Sequence, residues 1–471
     1  MISLYLSAAE LGFAPSDAWY PAPTREHRAD VHAVPKRFEL GVFDTRDAGA
    51  RLTPHPFVVV VGDGERRAAV VLKAEAGAHL FNFVDFEVDR GGVKALVDTE
   101  GHADEGWLAP RLKLVVVEGK GGEERMDLVA RAMSQVYPVP SRQILNWWLR
   151  PIYCGWGDQV AISLYLEGAG PEPRALAYCI QGLYERWINR LAKHGVPVGT
   201  VIVDAGWSLA GVWTPDPVRW PDLRGFIKRQ HEAGRKVLMW IPTWMREGLP
   251  DEWLVHAGET PMVADPTVEP YRRFLREHVE RLLSPHGFDA DGFKIDQLQY
   301  VPCERRPRVS EHFGRSKWLD GPHGRVSVKG SEWGLELLYL LQKDIYESAK
   351  KAKPDALVTS STLHPMFHDT FDMMRLHDTG LFDGSVFDAM AARGRVSRAM
   401  LPHHPIDADD WVFAKYAEWV DYTSRSQAIG VPCIFYAERF VRSFKHEPAT
   451  QPILGEDLER IGRAWREGPR S

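Results

Sequence analysis

Between Pro151 and Tyr436, short apolar runs alternate with longer stretches of helical periodicity. Nothing else in the chain restricts its fold so strongly, because parallel strands need long crossovers and helices are the usual crossover. The strand runs are Ile152 to Trp156, Thr200 to Ala205, Lys236 to Pro242, Gly292 to Asp296, Ala356 to Ser360, Asp372 to His377, Met400 to Ile406 and Cys433 to Tyr436. Helical stretches fall near Pro173 to His194, Pro221 to Ala233, Glu269 to Leu283, Glu332 to Lys351, Val386 to Arg398 and Trp411 to Ile429. Eight such strands closing on themselves predict an α/β fold, a (β/α)8 TIM barrel.

The rhythm is different before residue 140. Phe57 to Val61, Ala68 to Lys73, Phe81 to Val88, Val93 to Asp98 and Leu112 to Val117 are short runs bounded by turn residues, which predicts an antiparallel, β-sandwich-like domain. A helical stretch, Glu123 to Gln135, then meets the connector Tyr137-Pro-Val-Pro140. The expected division is a β domain over 1–140, a catalytic barrel over 141–440 and a tail over 441–471 packed on the barrel.

A net charge of -6 gives no electrostatic footprint for nucleic acid. No apolar run approaches the ~20 residues that span a bilayer, and no basic leader opens the chain, so a cytoplasmic protein with no membrane partner is expected. Cys154, Cys179, Cys303 and Cys433 are scattered without metal-ligand spacing and read as reduced thiols. His364 and His368 have the spacing of a helical metal pair, but Pro365 argues against a helix there. Neither a metal nor a cofactor is expected.

The stretch Asp291 to Tyr300 carries the most chemistry. On a strand, Lys294 and Asp296 share one face while Phe293 and Ile295 take the other. Buried charges are costly unless they pair or work. Two readings stand on this pattern: Asp296 is a carboxylate nucleophile at the end of strand four, or Lys294 and Asp296 form a structural ion pair. Other predicted strands also end in polar and aromatic residues: Tyr153, Trp156 and Asp158; Asp204 and Trp207; Trp240 and Trp244; Ser360; Arg375 to Asp378; and Asp407. Glycoside cleavage needs two carboxyl groups, and Asp296 and Asp378 form the best pair, because the ends of strands four and six can face each other across a pocket.

At these residues the chain resembles the retaining α-glycosidase clan of glycoside hydrolase families 27, 31 and 36, family 36 most nearly. Lys294-Ile-Asp296 matches that family's Lys-x-Asp nucleophile strand, Met374-Arg-Leu-His-Asp378 its acid/base run, and Val203-Asp204-Ala205-Gly206-Trp207 its second strand. Val212-Trp-Thr-Pro-Asp216 and Gly225-Phe-Ile227 are similar to the clan's link to strand three. The resemblance implies a retaining, exo-acting α-glycosidase, α-galactosidase-like, with a small carbohydrate as partner. Asp296 is then the nucleophile, Asp378 the acid/base, and Asp204 and Lys294 bind sugar hydroxyls. Ala205 departs from the family's second acid at that place.

Trp156, Trp207, Trp213 and Trp240 are candidate sugar platforms, or core residues. Ser360, Arg375 and Asp407 complete the expected substrate-binding set. Alternatives stay open: Asp378 as a cap, Asp204 in a turn with Gly206, and Asp407 capping a helix with Asp409 and Asp410. The basic stretch Glu304 to Gly330 reads as a lid, either solvated or meeting an anionic sugar. Two functional rivals remain, a transglycosylase using the same intermediate and a non-catalytic carbohydrate-binding relative.

Overall fold

The computed structural model of the chain describes residues 1–21, 36–41, 53–168, 174–209, 213–311, 317–378, 385–442 and 449–468. Val212, named above, lies outside them, as do residues 312–316 of the basic stretch.

Two antiparallel four-stranded sheets form first. One runs Ile2–Ser7, Gly92–Asp98, Phe83–Asp89, Lys36–Gly41 in spatial order, the other Asp17–Trp19, Val58–Gly62, Arg67–Ala74, Leu112–Glu118. Val58–Gly62 is buried throughout, which is why it reads as a continuous apolar run, whereas Gly92–Asp98 is buried mostly at alternate positions. Three strands escaped the sequence reading: Ile2–Ser7, Asp17–Trp19 and Lys36–Gly41. All three are sheet edges, and edge positions that face water lose the apolar signal. The helix Arg125–Val136 buries Leu128, Val129, Ala132, Met133 and Val136 on one face and packs against the barrel helix Val386–Met400.

The barrel closes with eight parallel strands: Ile152–Cys154, Thr200–Val203, Lys236–Pro242, Gly292–Asp296, Leu357–Ser360, Met373–Arg375, Ile406–Ala408 and Val431–Ile434. Seven lie within two residues of their predicted starts. Strand seven does not, because the helix before it runs on to Met400 and the Leu401–Pro405 turn delays the strand to Ile406. Between strands five and six only the short turn Pro365–Phe367 is helical, as the weak periodicity there implies.

Three expectations are corrected. Trp156 and Asp158 do not end strand one; they begin a helix, Trp156–Glu167, whose first nine residues are all buried. A helix buried on every side has no polar stripe and so no 3.6-residue signal. The predicted helix at Trp411 starts at Tyr416 with Lys415 as its N-cap, so Asp407, Asp409 and Asp410 cap no helix. The stretch Glu304 to Gly330 is not a plain loop: Arg308–Val309 pairs with Lys317–Trp318, and Val326–Ser327 joins the hairpin Leu254–Ala257 and Thr260–Ala264.

The tail helix Gly455–Glu467 packs on Tyr416–Arg425, where Trp465 Nε1 donates to the Thr423 carbonyl at 2.7 Å. All four cysteines are buried and form no disulfide. Among the described residues no helix is long and apolar enough to cross a membrane, and no cluster of metal-binding side chains occurs.

Candidate active site

Strand four delivers Asp296 to the carboxyl end of the barrel with its side chain 21% exposed, while Gly292 to Ile295 behind it are buried. Four groups surround the carboxylate. Trp240 Nε1 donates to Oδ2 at 3.0 Å; the Gln297 N–H donates to Oδ1 at 2.9 Å; His377 Nε2 lies 3.1 Å from Oδ1; and the Arg375 guanidinium stands 3.6 Å from Oδ1. Burial alone would raise this carboxyl, but the His377 hydrogen bond and the nearby Arg375 charge outweigh it and hold Asp296 well below the ordinary carboxylate range. It stays an anion.

Asp378 approaches the same imidazole from its other nitrogen. Its N–H donates to His377 Nδ1 at 2.7 Å, and its Oδ2 stands 3.6 Å from that nitrogen. Strand alternation places Arg375 and His377 on the inner face and would send Asp378 outward. The left-handed backbone at His377, φ 61°, breaks the alternation and brings Asp378 back. Gln297 has φ 63°, so the chain makes a similarly costly turn beside each acid.

Beneath the acids lie two buried ion pairs. Arg375 donates twice to Asp409 Oδ2, at 2.9 and 2.7 Å, and once to the Ile295 carbonyl at 3.1 Å. It therefore braces strands four, six and seven, with its side chain 1% exposed. Lys294 does not pair with Asp296. Its Nζ lies 2.7 Å from Asp204 Oδ2, with both side chains almost fully buried, and Cys154 Sγ donates to the same oxygen at 3.0 Å. Burial alone would lower the Lys294 ammonium, yet the Asp204 charge reverses the direction and raises it. Asp204 also takes part in the turn: its Oδ1 accepts the Ala205 N–H at 2.8 Å, and Gly206 has φ 100°.

The remaining expected residues divide. Trp240 belongs to the site through its indole N–H on Asp296. Trp207 is packed away, its Nε1 donating to the Trp240 carbonyl at 2.7 Å, and Ser360 is buried with its hydroxyl on Gln342 Oε1 at 2.9 Å. Trp156 is buried in its helix, edge-on to Trp411, and Trp213 is buried edge-on to His278. Asp407 is fully buried, and neither of its carboxyl oxygens has a hydrogen-bond partner among the described residues; burial first, and the Asp409 charge second, raise it well above the ordinary carboxylate value.

Sequence reasoning missed His377, Asp409, Gln297 and Arg393. His377 stood inside the quoted acid/base run, but its backbone conformation carries no sequence signal. Asp409 resembled a helix cap because it precedes an apolar aromatic stretch. In the basic stretch, read as a lid either solvated or meeting an anionic sugar, several cations are engaged with protein: Arg305 reaches Glu39 and Asp98, each at 2.7 Å, Arg325 donates to the Gly101 carbonyl at 2.6 Å, and Arg306 and Arg308 lie over the Trp318 and Tyr300 rings.

No family model and no curated protein matches the chain. Solved structures do. The cycloalternan-degrading enzyme from Trueperella pyogenes, in complex with a covalent intermediate, is similar at a TM-score of 0.60 and 13% identity, over 99% of this chain and 64% of that one. The same enzyme with isomaltose gives 0.57 and 13%, over 97% and 64%. The cycloalternan-forming enzyme from Listeria monocytogenes, with a pentasaccharide substrate, gives 0.56 and 13%, over 93% and 40%. This chain thus spans less than two thirds of their length, and at such identity the likeness establishes a shared fold.

Proposed function

We propose that the chain is a retaining, exo-acting α-glycoside hydrolase. Asp296 attacks the anomeric carbon as the aglycone oxygen leaves with the proton of Asp378, giving a glycosyl-aspartate. Asp378 then takes a proton from water, whose oxygen displaces Asp296 from the sugar. The observation that carries the proposal is a partly exposed carboxylate, Asp296, held ionised at the barrel rim, with a second acid on the other nitrogen of one shared imidazole. The Lys-x-Asp strand and the covalent complex of the similar Trueperella enzyme both support a covalent route.

The sugar is the finer part of the reading. Resemblance to family 36 gives an α-galactosidase-like substrate. The isomaltose complex favours a second reading, α-linked glucose, and Ala205 leaves one acceptor fewer for a galactose hydroxyl. Transglycosylation through the same intermediate is favoured by the similarity to a cycloalternan-forming enzyme.

Aryl α-galactoside, α-glucoside and matching β-glycosides distinguish the sugars, and product analysis with an added acceptor distinguishes transfer from hydrolysis. Incubation with an activated fluoroglycoside should place one sugar mass on the peptide containing Asp296, and proton NMR should show the α-anomer released first. Near-normal turnover by Asp296→Asn, or the β-anomer released first, would overturn the proposal.

A further inference from the structure

We propose that His377 is a positioning residue that treats the two acids differently: its N–H side holds Asp296 as the attacking anion, and its other side gives the Asp378 carboxyl no donor. This rests on the retaining reading above and adds the cause of the division of labour.

The tautomer follows from the backbone. The Asp378 N–H points at Nδ1 from 2.7 Å, so Nδ1 must accept, and in the neutral ring the proton sits on Nε2, facing Asp296 Oδ1. A proton on Nδ1 would meet that amide hydrogen head-on. The peptide cannot easily turn away, because Arg393 Nη1 holds its carbonyl, that of His377, at 2.7 Å. The preceding peptide is fixed at both ends as well: Arg393 takes the Leu376 carbonyl at 2.8 Å, and Asp409 Oδ1 accepts the His377 N–H at 2.8 Å. These contacts fix the left-handed φ of 61° and with it the ring.

One ring therefore presents two different faces. A donor on Asp296 favours its ionised form, whereas Nδ1, which carries no proton and is taken by the Asp378 amide, offers no donor to Asp378 Oδ2 at 3.6 Å. Pairs of acids pushed apart in this way make a working acid and nucleophile. The same geometry selects the attacking oxygen. Asp296 Oδ1 is held by the ring and the Gln297 amide and lies near Arg375, whereas among the described residues Oδ2 accepts the Trp240 indole alone and keeps a lone pair for the sugar. Among the described residues, the other charged groups that touch this residue are Asp409, on its N–H, and Arg393, on its carbonyl. Arg375 pairs with Asp409 and Lys294 with Asp204, while Arg393 holds backbone carbonyls.

The test compares pH profiles of kcat/KM on an aryl α-glycoside for the wild type, His377→Ala and His377→Gln, with thermal unfolding as a control. Loss of a hydrogen bond to a charged group should lower the His377→Ala optimum by about 10- to 100-fold. Its acid limb should move up while its alkaline limb stays, so that the bell narrows from one side. Gln, with an amide donor that can reach toward Asp296, should restore the acid limb. A wild-type acid limb in His377→Ala would reduce the residue to packing and overturn the inference. If the Ala variant does not fold, a His377→Leu variant with the wild-type acid limb overturns it equally. Nitrogen-15 NMR gives a readout independent of turnover: the Nε2–H tautomer is expected, and an Nδ1–H tautomer would sink the inference. Full activity in Asp296→Asn would instead remove the retaining reading itself, so the two failures are distinguishable.

Discussion

Strands four and six each carry an aspartate at both ends, and the two ends are treated in opposite ways. At the lower end, Asp291 precedes strand four and accepts from Lys236 Nζ at 2.8 Å and the Val237 N–H at 2.9 Å, with His231 at 2.6 Å and Lys353 at 3.6 Å. Asp372, before strand six, meets Arg142 at 2.6 Å and Lys350 at 2.7 Å and accepts the Tyr346 hydroxyl and the Val358 N–H. Both lower side chains are 1% exposed. At the upper end Asp296 and Asp378 share one histidine, and their side chains are 21% and 11% exposed. A buried carboxylate ringed by cations has no lone pair left for chemistry and serves to tie strands together. One whose neighbours crowd a single oxygen, as His377, the Gln297 amide and Arg375 crowd Oδ1 of Asp296, keeps room on the other.

The sharpest way to break this comparison is to neutralise the two ends of strand four separately. Asp296→Asn should lower turnover of an aryl α-glycoside by about 10³-fold or more, the scale of losing a nucleophile, with little change in unfolding midpoint. Asp291→Asn should keep turnover and lower the midpoint. If both variants lose activity and stability alike, the ends are not functionally distinct.

Next in size is Asp372→Ala. It leaves Arg142 and Lys350 without their partner in the barrel floor, and breaking a buried pair typically costs about 3–5 kcal/mol. Denaturant unfolding measures this. A loss below about 1 kcal/mol would mean that water reaches the floor and solvates the cations.

A smaller effect is expected in acid. Burial alone would raise Asp291, but hydrogen bonds from His231 and Lys236 outweigh it and lower the carboxyl. A depressed carboxylate contributes stability that is present above its unfolded value, about 3.9, and is lost as pH falls through the folded one. Wild-type stability should therefore fall below about pH 4, and Asp291→Asn should flatten that slope. Asp296 is also held low, so turnover in acid should fail together with the fold rather than before it. Turnover lost at a pH where circular dichroism is still native would contradict this.

Much of the upper end was legible in the sequence, because strand alternation and the order of acids along the chain depend only on local pattern. Asp296 and Asp378 were singled out from the ends of predicted strands four and six, and the structure places both beside His377. The supporting groups were not. The partner of Lys294 is Asp204, 90 residues away, and a same-face rule along one strand could only suggest Asp296. The role of His377 depends on a backbone angle, and that of Asp409 on a strand that begins six residues later than its apolar pattern suggests. The helix at Trp156 was hidden for the opposite reason, since complete burial erases amphipathic contrast.

The smallest predicted effect concerns the cations that read as a lid. Arg305 is paired with Glu39 and Asp98 of the amino-terminal sheet and lies over Phe83, with its side chain 33% exposed. Partly exposed pairs contribute about 0.2–1 kcal/mol, because water competes for both charges and long side chains lose rotamer freedom. Arg305→Ala should therefore shift the unfolding midpoint only slightly, and it should leave the ratio of turnover on neutral and sulfated aryl glycosides unchanged. A selective loss on the sulfated substrate would show that a cation matched on both sides by protein carboxylates can still be drawn to a ligand. That would place part of the binding energy of the upper end outside the barrel, and the contrast between its two ends would then need the amino-terminal sheets as a third participant.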